Sequence, residues 1–272
     1  MSDSVNIADQ LIAVRAPAGL AVLILLLLWE TAQPFFPFFG NGGRDGTSRV
    51  RHGAVNIGFG VLNGLLIRFV FLALWVRVMD WSAAEGVGLL HWLSLPGWSS
   101  WLVAVALLDG WTYGWHRVNH AVRFLWRFHR LHHADRQMDV TTANRFHVGE
   151  ITLSSLARVP VLALIGCQLE HLALYELLFF AVVQFHHANV AVPAWLDRAL
   201  RVVIVTPHLH KVHHSVVIAE QNANFGSLFS WWDRLARTFR LAPELSAIAF
   251  GVNDETTAPE REARADTHRA RT

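Results

Sequence analysis

The distribution of apolar residues constrains this chain more than any other feature of its sequence. The apolar residues collect in long blocks separated by basic, histidine-bearing stretches, and only 16% of all residues are charged, against about 25% in soluble domains. Three blocks, at about residues 11–29, 54–79 and 95–115, have the length that lets a helix cross a bilayer. This pattern argues against a water-soluble protein and predicts an all-α, polytopic integral membrane helical bundle.

A fourth apolar stretch, residues 151–190, is too long for a single crossing. A polar break begins at Gly166, so we expect a hairpin of two helices that enter the membrane and return to the same side. The first block is interpreted as a membrane helix and not as a secretory signal, because Asp3 and Asp9 precede it in place of a basic cluster. In total we expect about four or five membrane-inserted helices.

The basic residues predict an orientation in the membrane. Of the 23 basic residues, all but Lys211 are arginine. They concentrate in residues 44–51 and 117–145, whereas residues 80–85 carry only acidic charges. The positive-inside rule is met if both arginine stretches face the cytoplasm, which in a bacterium means the inner face of the inner membrane. This placement indicates membrane orientation and not nucleic-acid binding.

The same pattern divides the chain into three regions. Residues 1–108 hold the N-terminal transmembrane helices and loops, residues 109–240 form the histidine-rich catalytic region with the membrane hairpin at about 151–190, and residues 241–272 form a polar tail. The end of the tail, from residue 253, has no apolar periodicity and is predicted to be disordered. We expect the histidine-rich region to form a catalytic cap on the cytoplasmic side.

Eight of the sixteen histidines fall into three compact clusters. On a helix, positions i and i+4, or i, i+3 and i+4, lie on one face, so each cluster can direct its imidazoles at a common point. Imidazole suits iron, zinc, copper and nickel, and eight imidazoles can hold two ions, whereas solvated surface histidines would not need this spacing three times. The clusters are His116 and His120; His129, His132 and His133; and His210, His213 and His214.

Other kinds of histidine-rich membrane protein stay open at this point. A bis-histidine haem electron carrier needs single, well-separated axial histidines, and a divalent-metal transporter places its ligands near the middle of the membrane. Zinc hydrolysis is disfavoured because the chain has no H-E-x-x-H motif. The only cysteine, Cys167, excludes a cysteine-ligated zinc site and an iron–sulfur cluster of the chain's own.

Short motifs around the clusters carry a resemblance to a known family. They are Asp109, Tyr113 and the H-R-x-x-H of His116 to His120; Leu125, Trp126 and the H-x-x-H-H of His129 to His133; Arg145, His147 and Glu150; His187 with Asn189; Thr206, Pro207 and the H-x-x-H-H of His210 to His214; and Asn222, Asn224, Phe225, Gly226, Trp232, Asp233 and Thr238. Through them the region from Asp109 to Phe239 resembles the fatty acid hydroxylase and sterol desaturase superfamily of membrane-bound non-haem iron oxygenases. One departure is Arg237, where family members usually have glycine.

The resemblance implies a membrane oxidoreductase with two non-haem iron ions held almost wholly by histidine. It also implies that O2 is the co-substrate, and that a C–H bond of a fatty acyl chain, sterol, carotenoid or similar membrane lipid is hydroxylated or desaturated. Soluble diiron proteins use Glu-x-x-His pairs, and this chain has none. Since it also lacks a flavin or nicotinamide fingerprint, we expect electrons from a separate ferredoxin, cytochrome or reductase.

Roles for individual residues follow from the resemblance and from spacing. His187 is implied as a ninth ligand. Asp109 lies two helical turns before His116, where it either orients a ligand by accepting its second N–H or is a polar residue that faces a cavity in the membrane. Tyr113 either hydrogen-bonds near the ligands or belongs to the interfacial aromatic belt. Asn189 can hydrogen-bond around the site or cap a helix.

Four further histidines lie outside the three clusters. One of them has two interpretations, and the other three are not assigned to the metal. His147 and Glu150, at i and i+3, supply either a further metal ligand with an orienting carboxylate or an ordinary surface pair. His186 and His208 adjoin ligands, and the spacing does not assign them to the metal. His52 lies outside the clusters and is interpreted as interfacial or solvated.

Overall fold

A computed structural model of the chain describes residues 2–39 and 48–252. These residues form helices joined by loops and turns, with no β-strand among them and isolated β-bridges in place of a sheet. The predicted all-α fold is therefore confirmed. The end of the tail from residue 253, for which disorder is predicted, lies outside the described residues.

The helices fall into three consecutive sets along the chain. The first set is α1 (Ser2–Ala32), α2 (Arg49–Leu66), a π-helical turn (Ile67–Phe71), α3 (Leu72–Ala84) and α4 (Leu89–Leu93). The second is α5 (Gly97–Ala121), α6 (Arg123–His133), a 3-10 turn (Val140–Asn144), α7 (Val148–Ile165) and α8 (Leu169–His187). The third is α9 (Ala194–Leu200), α10 (Pro207–His213), α11 (Ile218–Gln221), α12 (Trp231–Leu235) and a 3-10 turn (Leu245–Ala247).

Three segments of the described chain are long and apolar enough to cross a membrane: Ala13–Ala32, Arg49–Leu93 and Val148–Ile165. Few of their residues are buried in the isolated chain, and large apolar side chains such as Leu25 and Phe69 are exposed. Apolar side chains on this scale are stable only against lipid. The chain is therefore a helical membrane protein, as predicted.

Two other predicted crossings form helices that are long enough to cross a membrane but are not apolar enough to meet this standard. α5 corresponds to the block at residues 95–115, and α8 is the second arm of the predicted hairpin. Both carry polar residues that face the protein interior, among them Asp109 on α5 and Glu176 and Gln184 on α8. These helices are less apolar because they line the inside of the bundle and carry the site.

Helix α8 lies at the centre of the bundle. It packs against α1, α5, α10 and the 3-10 turn at Val140–Asn144. The largest buried apolar cluster joins α3, α5, α7 and α8 through residues such as Leu108, Leu162 and Tyr175. This packing fixes the inner ends of α5 and α8 beside α10, so that residues distant in the sequence meet there.

A sharp corner brings the first two histidine clusters together. Helix α5 ends at Ala121, and the single residue Val122, in an extended conformation (φ −96°, ψ 111°), separates it from α6. Because only one residue lies between the two helices, the last turns of α5 pack against α6.

The helix that carries the third histidine cluster, α10, begins with Pro207 at its first position, where a proline favours the start of a helix.

The loop after α12 contains Arg237, the one departure from the pattern described above. Arg237 has φ +59°, in the left-handed region, where a side chain is unfavourable and glycine is not. The glycine that the resemblance leads us to expect here would adopt this backbone conformation without strain. The backbone N–H of Arg237 donates to the Arg234 carbonyl at 3.3 Å, so the turn is closed.

Candidate metal centre

Nine histidines form two adjacent groups, and within each group the ligating nitrogens all lie within 4.8 Å of one another. The five-histidine group consists of His116, His120, His129, His133 and His213. The four-histidine group consists of His132, His187, His210 and His214. All eight clustered histidines and His187 are thus brought together, and seven of the nine are buried, His116 and His120 being half-buried.

The H-x-x-H-H spacing distributes its histidines between both groups. On α6, His129 and His133 join the five-histidine group, whereas His132 turns to the other. In α10 and the residue that follows it, the assignment is reversed. His210 and His214 belong to the four-histidine group, and His213 belongs to the five-histidine group. Residues i and i+4 lie almost one above the other on a helix, and i+3 is displaced to the side. Each motif therefore contributes two imidazoles to one group and a third to the other.

The two groups share a wall of imidazole rings. The rings of His133 and His214 are stacked, with centroids 4.4 Å apart and planes at 15°. The ring of His132 lies 4.6 Å from that of His214, and the ring of His133 lies 4.7 Å from that of His213. Two ions held by these groups would therefore be neighbours.

Neighbouring ligand nitrogens are as close as ligands of one ion. His116 Nε2 lies 3.0 Å from His213 Nε2. In the four-histidine group, His187 Nε2 lies 3.1 Å from His132 Nε2 and 3.0 Å from His210 Nε2. Two nitrogens bound to one metal at about 2.1 Å are separated by about 3.0–3.4 Å. The spacing therefore fits coordination.

The partners of the second ring nitrogens fix the tautomers. A carbonyl or carboxylate oxygen only accepts, so each Nδ1 that contacts one carries the proton and leaves the Nε2 lone pair free. Converging lone pairs without protons repel one another unless a cation lies between them. The four contacts are His116 to Phe225 O (2.8 Å), His213 to Ala223 O (2.8 Å), His187 to Val183 O (2.7 Å) and His129 to Glu150 Oε1 (2.8 Å).

Burial keeps imidazoles of both groups neutral. The pKa of His133 and the pKa of His214 lie well below the ordinary value, first because both rings are buried and then because other histidines surround them. The same burial lowers the pKa of His213 to about 3. Neutral imidazole is the form that binds a metal. The residues present thus fit two ions of the kinds that imidazole prefers.

Glu150 contacts a ligand, but not through the predicted pair. Its Oε1 accepts from His129 Nδ1 at 2.8 Å and from Asn119 Nδ2 at 3.1 Å. His147 lies outside both groups, so the structure does not favour the first of its two interpretations, that of a further metal ligand. Helix α7 begins only at Val148, so His147 is the N-cap and its Nδ1 accepts from the Gly149 backbone N–H at 2.9 Å.

Asp109 orients a loop and not a ligand. Its carboxylate accepts from the backbone N–H groups of Leu228 and Phe229 at 3.1 and 3.0 Å and from Trp232 Nε1 at 2.9 Å. The second ring nitrogen of His116, which was predicted to donate to Asp109, lies 2.8 Å from the Phe225 carbonyl instead. Tyr113 OH likewise lies 2.8 Å from Thr238 Oγ1, so both side chains tie α5 to the C-terminal part of the chain.

Asn189 also holds backbone together at a distance from the ligand nitrogens. Its Oδ1 accepts from Phe36 N at 2.9 Å, and its Nδ2 donates to Phe36 O at 2.8 Å. His186 is buried with its ring centroid 3.9 Å from that of His210, yet it belongs to neither group. His208 lies near Asp197, with Nδ1 3.7 Å from Oδ2, and is also outside both groups.

The interpretation of His52 as interfacial or solvated was wrong. Its ring is buried, with Nε2 2.9 Å from both oxygens of Asp135 and Nδ1 3.3 Å from Asp139 Oδ2. Burial alone would raise the pKa of Asp135, but the hydrogen bond and charge of His52, with Thr142, lower it to about 2. A lone histidine has no spacing that could have indicated this network.

Sequence reasoning also missed Glu30 and the part played by Asp233. Glu30 is buried at the end of α1 and accepts from the backbone N–H groups of Val140 and Asn189. A carboxylate at the end of a membrane helix is a signal that could have been used. Asp233 accepts from the backbone N–H of Phe225, the residue whose carbonyl holds His116.

Comparison with known proteins agrees with this geometry. The family profile described as fatty acid hydroxylase matches residues 101–238. The chain is 33% identical to an ornithine lipid hydroxylase of Rhizobium tropici over 138 residues, which is 50% of this chain and 40% of that protein. It is 27% identical to an alkylglycerol monooxygenase of Danio rerio over 199 residues, 69% of this chain and 39% of that one.

A third relative is a cholesterol 25-hydroxylase of Rattus norvegicus, 24% identical over 178 residues, which is 61% of this chain and 59% of that one. The chain thus spans between 39% and 59% of the length of these relatives. No solved structure matches the chain. The matched region contains all nine converging histidines, and the predicted resemblance is confirmed: the chain belongs to the fatty acid hydroxylase family.

Proposed function

We propose that this protein is an O2-dependent, non-haem diiron oxidoreductase that hydroxylates a C–H bond of a membrane lipid. The observation that carries the proposal is the pair of adjacent all-histidine groups, five and four ligands in size. The balanced reaction is R–H + O2 + 2 e⁻ + 2 H⁺ → R–OH + H2O. Two iron ions bound by these groups would supply the redox chemistry that activates O2.

The residues of this chain prepare the site for that chemistry. Carbonyl and carboxylate partners hold four imidazoles with Nε2 free, which reduces the reorganisation needed when metal binds. Glu150 adds negative charge behind His129 and so strengthens this ligand. The burial of most ligands keeps bulk water from the reacting atoms.

Relatives favour a lipid substrate and hydroxylation over desaturation. The three relatives described above are named as hydroxylases or monooxygenases, and their names refer to an ornithine lipid, an alkylglycerol and cholesterol. All three classes dissolve in a bilayer, where this helical bundle would meet them. We therefore infer a lipid that carries its reactive carbon to the inner ends of α5, α8 and α10.

The competing functions fit the geometry less well. A haem carrier needs space for a macrocycle between two axial imidazoles, yet the ring centroids of His133 and His214 are 4.4 Å apart. A transporter would hold its ion near mid-membrane in broken helices, whereas these ligands occupy helix ends. By the positive-inside rule, the two groups would face the cytoplasm, where an external ferredoxin, cytochrome or reductase would deliver electrons.

Comparative lipid analysis tests the proposal. Cells that express the intact protein should contain a lipid one oxygen heavier, and cells with His132→Ala should lack it, because one ligand of the four-histidine group is removed. His147→Ala is the matched control, since it removes an imidazole outside both groups and should keep the product. Identical lipids in all three strains, or the product undiminished in His132→Ala, would contradict the proposal. A product lacking two hydrogens would instead indicate desaturation.

A further inference from the structure

A positively charged cavity opens at the C-terminal end of α6, next to the metal ligands. Its volume is about 310 Å³. Three arginines contribute to its wall, and Ala134 and Val55 are the aliphatic side chains among the described residues that line it. The lining residues are Arg51, His52, Val55, Ala134, Asp135, Arg136, Gln137 and Arg145.

The charge of the arginines is not balanced within the cavity. Asp135 is the only carboxylate among the lining residues that the structure describes. His52 contacts both of its oxygens at 2.9 Å, and Thr142 donates to one of them. Arg51 and Arg136 are exposed, and their guanidinium groups have no hydrogen-bond or ion-pair partner among residues 2–39 and 48–252. The cavity therefore attracts anions.

A buried amide adds a second, independent indication of a ligand. Gln137 is 4% exposed and lines the cavity. Its Nε2 has no hydrogen-bond partner in the described part of the chain. Leaving a buried N–H unpaired is unfavourable, and an oxygen of an entering anion would satisfy it.

The cavity lies beside the ligands of both groups. Ala134 in its wall follows His133 directly, and His132 and His133 form the last turn of α6. Arg145, also in the wall, donates from Nε to the Leu131 carbonyl at 3.0 Å and so braces this turn. A protein docked here would bring its redox centre close to the ligands. This favours electron transfer, because the rate of electron tunnelling falls steeply with distance.

We propose that this cavity receives a surface carboxylate of an acidic electron-donor protein, so that the three arginines form its docking site. The inference rests on the proposed function, which consumes two electrons per hydroxylation. A donor with a [2Fe–2S] cluster would supply them in two one-electron oxidations, and together with two protons they reduce the second oxygen atom of O2 to water.

The lining favours a protein carboxylate over a lipid headgroup. A headgroup carries acyl chains that need an apolar wall, which this cavity lacks. The other large cavity, about 440 Å³ between α9 and α10, has such a wall, with Phe35, Val190 and Leu245 among its lining residues. An anion that enters without an attached chain fits the arginine-lined cavity better.

The test measures the binding of a strongly acidic, oxidised [2Fe–2S] ferredoxin to the full-length protein in nanodiscs of neutral phosphatidylcholine, both iron-loaded and metal-free. We expect Arg51→Glu and Arg136→Glu each to raise Kd about tenfold, with a smaller effect at high salt. Arg198→Glu, an exposed arginine at the other cavity, is the charge-matched control and should change Kd less than about twofold. Metal-free protein should give the same ranking.

Two further measurements separate this inference from the proposed function. Ferredoxin-driven hydroxylation by Arg136→Glu should show a raised KM for ferredoxin, whereas dithionite-driven hydroxylation should stay unchanged. Equal Kd values for Arg136→Glu, Arg198→Glu and the unaltered protein would overturn the docking site while dithionite-driven product still supported the function. A lack of product with every reductant would instead refute the function. A third outcome would also overturn the proposal. If Arg136→Glu lost binding to phosphatidylglycerol vesicles but kept ferredoxin binding, the cavity would be a site for lipid headgroups.

Discussion

The five-histidine and four-histidine groups differ in how the protein holds their ligands. In the five-histidine group, His116, His129 and His213 each have an acceptor on the second ring nitrogen. In the four-histidine group only His187 has one, the Val183 carbonyl, and the Nδ1 atoms of the three other ligands are buried without a partner in the described chain.

This difference indicates that the two histidine groups are not equivalent as candidate metal sites. The five-histidine group is oriented by two backbone carbonyls and a carboxylate, and has two half-buried members. The four-histidine group is fully buried and is oriented mainly by ring packing, as in the stacking of His132 on Phe146 at 4.3 Å. Oriented ligands bind metal more tightly. We therefore expect the five-histidine group to be the tighter site.

Removing one ligand from each group gives the largest expected effect. His133→Ala and His210→Ala should each lower product formation more than about 100-fold, since loss of a ligand exceeds the 10–100-fold effect of losing its hydrogen-bonded partner. Metal analysis with Mössbauer spectroscopy should find one iron retained in each variant, with different spectra because different groups stay intact. Two irons retained in either variant would show that the groups do not act as separate ligand sets.

Glu150→Gln tests the support of the five-histidine group alone. The variant keeps an acceptor oxygen near His129 but removes the negative charge. We expect iron affinity to fall about 10–100-fold at one of the two positions and to stay unchanged at the other, as measured by competition with a chelator. Glu85→Gln, an exposed carboxylate outside the site, is the control. An equal loss at both positions would contradict the inequivalence.

Asp109→Asn separates loop anchoring from ligand orientation. The carboxylate accepts three hydrogen bonds from Leu228, Phe229 and Trp232, so its neutralisation should lower the free energy of unfolding by about 1–3 kcal/mol. Iron content at saturating metal should stay at two ions. Unfolding in detergent and metal analysis of the same sample provide the check, and loss of iron at unchanged stability would restore the predicted ligand-orienting role.

His147→Ala has the smallest expected effect. The N-cap bond to Gly149 N is lost, which lowers the free energy of unfolding by about 1 kcal/mol. Both irons should remain, because the ring belongs to neither group. The same unfolding and metal measurements apply, and a variant that binds only one iron would return His147 to the ligand set.

The convergence of the histidines could be predicted because the information for it is local. One-face spacing identified eight of the nine converging histidines, and the resemblance to the family added His187. Their division between two groups could not be predicted, since it depends on the angle at which α6 and α10 face each other. Sequence spacing defines a helix face and not the neighbour that it meets.

The errors arose where tertiary structure decides. His147 and Glu150 share a helical spacing, but α7 begins one residue after His147 and leaves it as a cap. The role of Asp109 depends on backbone N–H groups about 120 residues later in the chain, and the burial of His52 depends on Asp135. Contacts of this range have no periodicity to reveal them.

The central claim is that two irons occupy the two histidine groups side by side. Anomalous X-ray scattering on either side of the iron absorption edge, from crystals of protein purified with ferrous iron, tests it directly. We predict two iron peaks, one among His116, His120, His129, His133 and His213 and the other among His132, His187, His210 and His214. A single peak, or iron bound outside these groups, would contradict the account.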